Sequence, residues 1–430
     1  MASRWPSLPI SDLTDAIIDY RGKTPTKTAS GIPLITAKVV KGGRIETPNE
    51  FIAEADFDTW MRRGMPQPGD VLITTEAPLG EVAQLGTERV ALAQRLIALR
   101  GKRDVLDSRF LKYALLSESV QNELRSRATG TTVLGIKQSE LRKVSIPLPS
   151  YQEQLLIAKI LGELDDKIEL NNRMAATLEE TARAIFKSWF INFDPVHAKA
   201  EGRPTNLPIE IDTLFPDSFE DQADVTMPTG WLRGRLSDVT RFQGGYAFKS
   251  RDWVDQGIPV VKIGSVKPGL VDLNSVSYVT EEVASEAARF RLTPGDLLIG
   301  MTGYVGEVGL VPITDNPPLL NQRVGKFVQD EPGTSSIAYL YCLTRDADFK
   351  AQVESKSHGT AQANVSADGI LSVPLIVPPP ALRDQFNVLV RPIIDRILDA
   401  HAESSTLAIT RDILLPNLVS GEIAIRSEGA

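Results

Sequence analysis

The chain has 430 residues, 42% of them hydrophobic and 24% charged, with a formal net charge of −8 and one cysteine. That length exceeds one ordinary core and predicts two to three domains of a globular, not a disordered, protein. No apolar run approaches the roughly 20 residues that span a bilayer, the opening Met1-Ala2-Ser3-Arg4-Trp5-Pro6 lacks the apolar stretch of a secretory leader, and lone Cys342 excludes a disulfide framework or a cysteine-based zinc site. A cytoplasmic protein is expected.

The first 150 residues read as an α+β domain. Short β-like runs at 34–40, 71–75 and 96–100 are separated by Gly/Pro punctuation. An amphipathic helix is predicted over 108–127, and a proline-bounded stretch at 144–149 closes the unit. Although the chain is acidic, residues 89–143 hold twelve Lys/Arg against five Asp/Glu, so the net charge hides a basic district.

A long helix follows at 151–191, with apolar positions at alternating steps of four and three: Ile157, Leu161, Leu164, Ile168, Asn171, Ala175, Leu178, Ala182, Ile185 and Trp189. Sustained 4-3 spacing is the pattern of a coiled coil, and a polar Asn171 in the seam fixes register at a cost in stability. Residues 192–228 carry Pro, Asp and Glu without periodicity and read as an extended acidic linker; seven acidic residues between Glu201 and Asp224 face only Arg203.

The pattern then starts again. Gly31-Ile32-Pro33-Leu34-Ile35 returns as Gly257-Ile258-Pro259-Val260-Val261, Pro68-Gly69-Asp70 as Pro294-Gly295-Asp296, and Gly80-Glu81-Val82 as Gly306-Glu307-Val308, all at an offset of 226. Ala93-Gln94-Arg95 matches Asn321-Gln322-Arg323 and Gly130-Thr131 matches Gly359-Thr360, at offsets of 228 and 229. Five matches in order mark a tandem duplication. The second domain is expected at 229–378, with its helix over 336–356, and a second spacer helix at 379–425. The second seam runs Phe386, Val390, Ile393, Ile397, Ala400, Ser404, Leu407, Arg411, Leu414 and Leu418. The fold class is therefore α+β: two tandem domains alternating with two long helices that pair as an antiparallel coiled coil, Asn171 facing Ala400 or Ser404. Pro392 and Pro416 predict kinks or breaks in the second helix. The simpler arrangement has each helix packing only on its own domain.

Catalytic constellations are hard to find. Gly22-Lys23-Thr24 has the tail of a phosphate loop, but Ile17 stands where its first glycine belongs. Asn316-Pro317-Pro318-Leu319 resembles a methyltransferase base-gripping loop without the aromatic ring that stacks on the base. Pro294-Gly295-Asp296 with Glu354-Ser355-Lys356 echoes a nuclease pattern only loosely. His197, His358 and His401 lack metal-ligand spacing. No cofactor, no metal and no catalytic residue is assigned, and a binding protein is expected.

The repeat–helix–repeat–helix organisation resembles the specificity subunits of type I restriction–modification systems over nearly the whole chain. Gly22-Lys23-Thr24-Pro25 is similar to one opening motif of that family's recognition domains, and Gly245-Tyr246-Ala247-Phe248-Lys249-Ser250 to another. The Pro-Gly-Asp turns, Asn321-Gln322-Arg323, and residues 359–366 followed by Pro378-Pro379-Pro380 and Asp384-Gln385 are also typical, with Glu153-Gln154 as the first-half counterpart. Thr131-Thr132-Val133-Leu134-Gly135-Ile136 departs from the usual polar version. The resemblance implies a non-catalytic subunit that reads a split target in double-stranded DNA. It implies two modification (methyltransferase) subunits as partners, restriction (translocase–nuclease) subunits held through them, and helices that set the unread gap and dock the methyltransferases. A seam of about 33 residues at roughly 1.5 Å each is about 50 Å long, more than a duplex turn of about 34 Å. A duplicated coiled-coil adaptor that does not bind DNA is the alternative.

Phosphate contacts need Lys and Arg, and base discrimination needs bidentate Arg, Asn or Gln. On those grounds the first domain offers Lys23, Thr24, Thr26, Lys38, Lys41, Arg44, Gln94 and Arg95. The second offers Lys249, Arg251, Lys262, Lys267, Tyr304, Asn321, Gln322, Arg323, Gln362 and Asn364. The Gln-Arg pairs stand out because both halves present the same chemistry at the same point, although either arginine can equally bridge a carboxylate of its own domain.

Overall fold

The computed structural model describes residues 4–20, 24–222, 225–328, 337–358 and 363–424. The chain divides into two compact units, Met1–Ile168 with Thr406–Ala430, and Glu169–Ser405. Both boundaries fall inside long helices, so each unit holds one domain and a stretch of each helix.

The first unit is built on an antiparallel sheet in the order Thr14–Asp19, Leu96–Gly101, Val71–Thr75, Leu79–Gln84. Period-two alternation sends Val71, Ile73, Ile97 and Leu99 to one face and Leu72, Leu96 and Ala98 to the other, and both faces are buried. The first face is covered by helices, the second by a small sheet in which Ile32–Ile35 pairs in parallel with Ala91–Leu92. The amphipathic segment expected as one helix is two, Ser108–Leu116 and Glu118–Ser126. Ser117 between them is extended (φ −65°, ψ 143°), and its hydroxyl donates to the Ala114 carbonyl.

The second unit repeats this plan. Its main sheet runs Arg241–Gly244, Val324–Val328, Leu297–Gly300, Val308–Leu310, Gly269–Leu270, and Ile258–Val261 pairs in parallel with Leu319–Leu320. The predicted helix over 336–356 is again two, Ile337–Thr344 and Ala347–Ser355, the second capped by the Asp346 carboxylate accepting from the Asp348 amide.

The duplicated Pro-Gly-Asp turns are structural. Gly69 (φ +88°) and Gly295 (φ +84°) adopt the left-handed conformation that glycine takes without strain. The following aspartates face inward. Asp70 accepts from the Gln67 amide and from Nε and Nη2 of Arg100, at 2.8 Å each. Asp296 accepts from the Thr293 amide at 2.8 Å and from Lys326 Nζ at 2.7 Å. The carboxylate locks the turn onto a neighbouring strand in both domains.

The segment expected as an extended linker is folded. It carries helices Asp194–Ala200 and Ile209–Asp212 and the antiparallel pair Phe219–Gln222 with Val225–Pro228. Phe215 seats edge-on to Trp189 at 5.3 Å, and Phe193 edge-on to Trp231 at 5.5 Å, so aromatic burial fixes a stretch that has no periodicity.

Tyr151–Phe190 and Pro380–Ser420 are single long helices. Pro392 and Pro416 do not break the second. Both face solvent, as do Val388 and Asp412, so water can satisfy the carbonyls whose hydrogen bonds the prolines remove. In the second unit the helices run antiparallel: Asn171 meets Glu403, Ala175 packs with Ile397 and Ala400, and Phe186 and Trp189 meet Phe386. Asn171 Nδ2 donates to Glu403 Oε2 at 2.9 Å, so its partner is neither Ala400 nor Ser404. Its Oδ1 and the Ser404 hydroxyl are buried without a partner among the described residues.

In the first unit, Asp165 of the first long helix pairs with Lys112 (2.7 Å), Tyr113 (2.8 Å) and Arg411 (2.8 Å). Burial pushes the Asp165 carboxyl up, but Lys112, Arg411 and Tyr113 together hold it below the usual carboxylate range. None of the twenty seam positions is exposed. The helices also pack on the domains: Ile157 and Leu161 join Leu415, Leu418 and Val419 in the first core, and Phe386, Val390, Ile394 and Leu398 enter the second. Pairing and packing on a domain therefore coexist.

Candidate nucleic-acid interface

In the first domain a concavity collects Thr24, Lys38, Gln94 and Arg95, together with Lys27. Lys27, which no motif singles out, has its Nζ 2.8 Å from Glu50. Thr24, Thr26 and Lys38 are exposed. Lys41 and Arg44 lie apart, on a hairpin whose Gly42 amide donates to Glu81, and Lys41 pairs with Glu46 at 3.0 Å. Lys23 lies outside the described residues.

The turn 93–95 leads out of Ala91–Leu92 into Leu96–Gly101. Arg95 sits at its apex with φ +74°, a left-handed conformation that costs a side-chain-bearing residue about 1 kcal/mol. The Arg95 carbonyl accepts from the Thr75 amide at 2.9 Å, and its Nε lies 2.8 Å from Glu76 Oε1. Glu76 also bridges Gly135 through its backbone, which brings the atypical loop 131–136 beside the same arginine. That loop exposes Val133 and Leu134.

The second domain assembles equivalent parts. Tyr246 bridges Asn321 through its backbone, and a Cβ on Gly245 would meet the Asn321 carbonyl at 2.3 Å. The opening motif therefore needs glycine to approach the turn. Buried Asn321 caps that turn, its Oδ1 accepting from the Arg323 amide at 3.2 Å, and Gln322 and Arg323 point outward. The Arg323 carbonyl accepts from Met301, the Thr302 hydroxyl donates to Asn364 at 2.8 Å, and Tyr304 is 64% exposed in the next turn. Arg323, Asn364 and Tyr304 thus gather around residues 301–304. Lys249, Arg251 and Lys267 are exposed. Lys262 is engaged within the domain, over the Trp253 ring at 4.4 Å and donating to Ser277 at 3.0 Å. Gln362 lies outside the described residues.

The arginines differ in their partners. At the position of Glu76 the second repeat has Thr302, and among the described residues the Arg323 guanidinium has no ion pair. Elsewhere, burial pushes the Cys342 thiol up to about 12, with Glu179 adding to the effect, and burial lowers His401. Neither is primed for nucleophilic or acid–base chemistry. Leu319, of the methyltransferase-like tetrapeptide, is a buried strand residue.

The family model for the type I restriction–modification DNA specificity domain matches twice, over residues 10–180 and 228–386. The chain belongs to that family. The type I restriction enzyme MjaIX specificity subunit of Methanocaldococcus jannaschii is 25% identical, with 83% of this chain and 78% of that protein covered. The HindI specificity subunit of Haemophilus influenzae is 24% identical over 78% and 82%. The crystal structure of a type I system S subunit from M. genitalium matches with a TM-score of 0.56 at 18% identity, covering 97% of this chain and 96% of that one, a likeness of fold. As a specificity-family member the chain is a recognition protein and not an enzyme. Among the described residues no helix is long and apolar enough to cross a membrane.

Proposed function

We propose that residues 1–150 and 229–378 each read one half of a split target in duplex DNA. The helical segments 151–191 and 379–425, with 192–228 between, dock two methyltransferase subunits and, through them, the restriction subunits, in the cytoplasm. The observation that carries this reading is the double occurrence of one arrangement, a Gln-Arg turn at a strand end beside residues of an opening motif (Thr24 and Pro25 in the first domain, Gly245 and Tyr246 in the second), in a chain whose family model matches once per repeat. Arg offers the paired donors that a guanine edge accepts, Gln the donor and acceptor that an adenine edge matches, and the surrounding lysines suit phosphate. The coiled-coil adaptor without DNA binding accounts for the long helices but leaves this duplicated assembly unexplained. Selection of duplexes from a random library by the chain assembled with its methyltransferase subunits tests the reading. A motif of two fixed blocks around an unread gap is expected, and recovery of no motif would overturn it.

A further inference from the structure

We infer that Glu76 is a positioning residue for DNA discrimination in the first domain, acting through Arg95; this rests on the DNA-reading role proposed above. Three observations converge on the pair. Arg95 occupies a left-handed backbone position (φ +74°) where glycine would be free of strain, so its side chain is carried at a conformational cost. Glu76 Oε1 stands 2.8 Å from Arg95 Nε, and both side chains are about half exposed (46% and 49%), so the pair faces solvent beside the concavity that holds Thr24, Lys38 and Gln94. Glu76 is itself fixed, because its backbone bridges Gly135 while the preceding Thr75 amide donates to the Arg95 carbonyl.

A carboxylate against Nε leaves the terminal Nη groups of the fork free. They can still donate to O6 and N7 of a guanine. The same carboxylate offsets the positive charge that would draw a loose arginine to any phosphate, an attraction without sequence information. Glu76 thereby trades general DNA affinity for discrimination. The second domain is a natural contrast, since Thr302 replaces the carboxylate and Arg323 carries no ion pair among the described residues.

The test uses the chain assembled with its methyltransferase subunits and compares cognate with scrambled duplex across a salt series. Glu76→Gln is expected to raise affinity for scrambled DNA several-fold, steepen its log–log salt slope by about 0.9, as one added phosphate contact does, and cut the cognate-to-scrambled ratio about tenfold. In an Arg95→Ala background the same substitution should change nothing, which a merely structural role for Glu76 would not produce. Equal losses on both duplexes, or an unchanged ratio, would overturn the inference. An Arg95→Ala variant with unaltered discrimination would instead remove Arg95 as a reader, and the inference with it.

Discussion

Replacing Asp165 by Ala tests how the first domain is joined to the long helices. The carboxylate accepts from Lys112, Tyr113 and Arg411, and the Lys112 and Asp165 side chains are only 11% and 12% exposed. Removing one partner of a fully buried ion pair costs roughly 3–5 kcal/mol, and the lost tyrosine hydrogen bond about 1 more. Arg411 retains Asp412 at 2.7 Å and Lys112 retains the face of Tyr113 at 4.7 Å, so the lower end applies, about 3 kcal/mol. For a unit of this size that is a fall of roughly 6–12 °C in its melting temperature, read by calorimetry of the full chain. A loss below about 1 kcal/mol would refute the reasoning. The triple change Asp165→Leu, Lys112→Met, Arg411→Leu should recover most of the loss, because it leaves no buried charge uncompensated. The pH dependence has a fixed sign. The Asp165 carboxyl is held low in the folded state, so its contribution is complete above the ordinary carboxylate value of about 3.9 and is lost as pH falls through the lower folded value. Below about pH 4 the gap between wild type and variant should narrow.

Arg323→Ala should cost about 1–3 kcal/mol of binding and relax preference in one half-target only; a uniform loss over all sequences, measured by competition binding, would reassign it to phosphate. Asp70→Asn should destabilise the first unit by about 3 kcal/mol, since it strands Arg100 against a buried neutral group. Asp296→Asn should cost less, because Lys326 can extend its ammonium toward water; equal denaturation midpoints for the two would contradict this. Asn171→Leu should stabilise the chain by about 1 kcal/mol, as it removes a buried oxygen that has no partner among the described residues; a lower urea midpoint would mean that the bond to Glu403 outweighs it.

The duplication was legible because it rests on glycine and proline at turns that admit little else, and Gly69 and Gly295 adopt the same left-handed turn. The long helices were legible because a 4-3 pattern over ten positions has no competing period. Contacts that join distant residues left no such trace. Asp70 and Arg100 are thirty positions apart and Asp165 and Arg411 are 246 apart, and no local pattern announces either. The acidic segment misled for a related reason: Phe193, Phe215 and Phe219 are spaced for no regular element, yet they fold it through aromatic contacts. Pro392 and Pro416 predicted a break that does not occur, because both lie on the solvent side of a helix whose other face is held by burial in the cores. At the candidate interface, the repeat singled out Gln94–Arg95 and Gln322–Arg323 as candidate readers, and both pairs lie in turns at strand ends, with Arg95, Gln322 and Arg323 exposed. No local pattern showed that Glu76 holds one arginine, or that Thr302 stands at the matching position and, among the described residues, Arg323 has no carboxylate partner.

Exchange of residues 226–378 for the corresponding segment of another family member tests the central claim most directly. The hybrid is expressed with its methyltransferase and restriction subunits, and methylated sites are sequenced across the host genome. Two independent readers predict a motif in which one half is new and the other is unchanged. A motif altered in both halves, or in neither, would contradict the account.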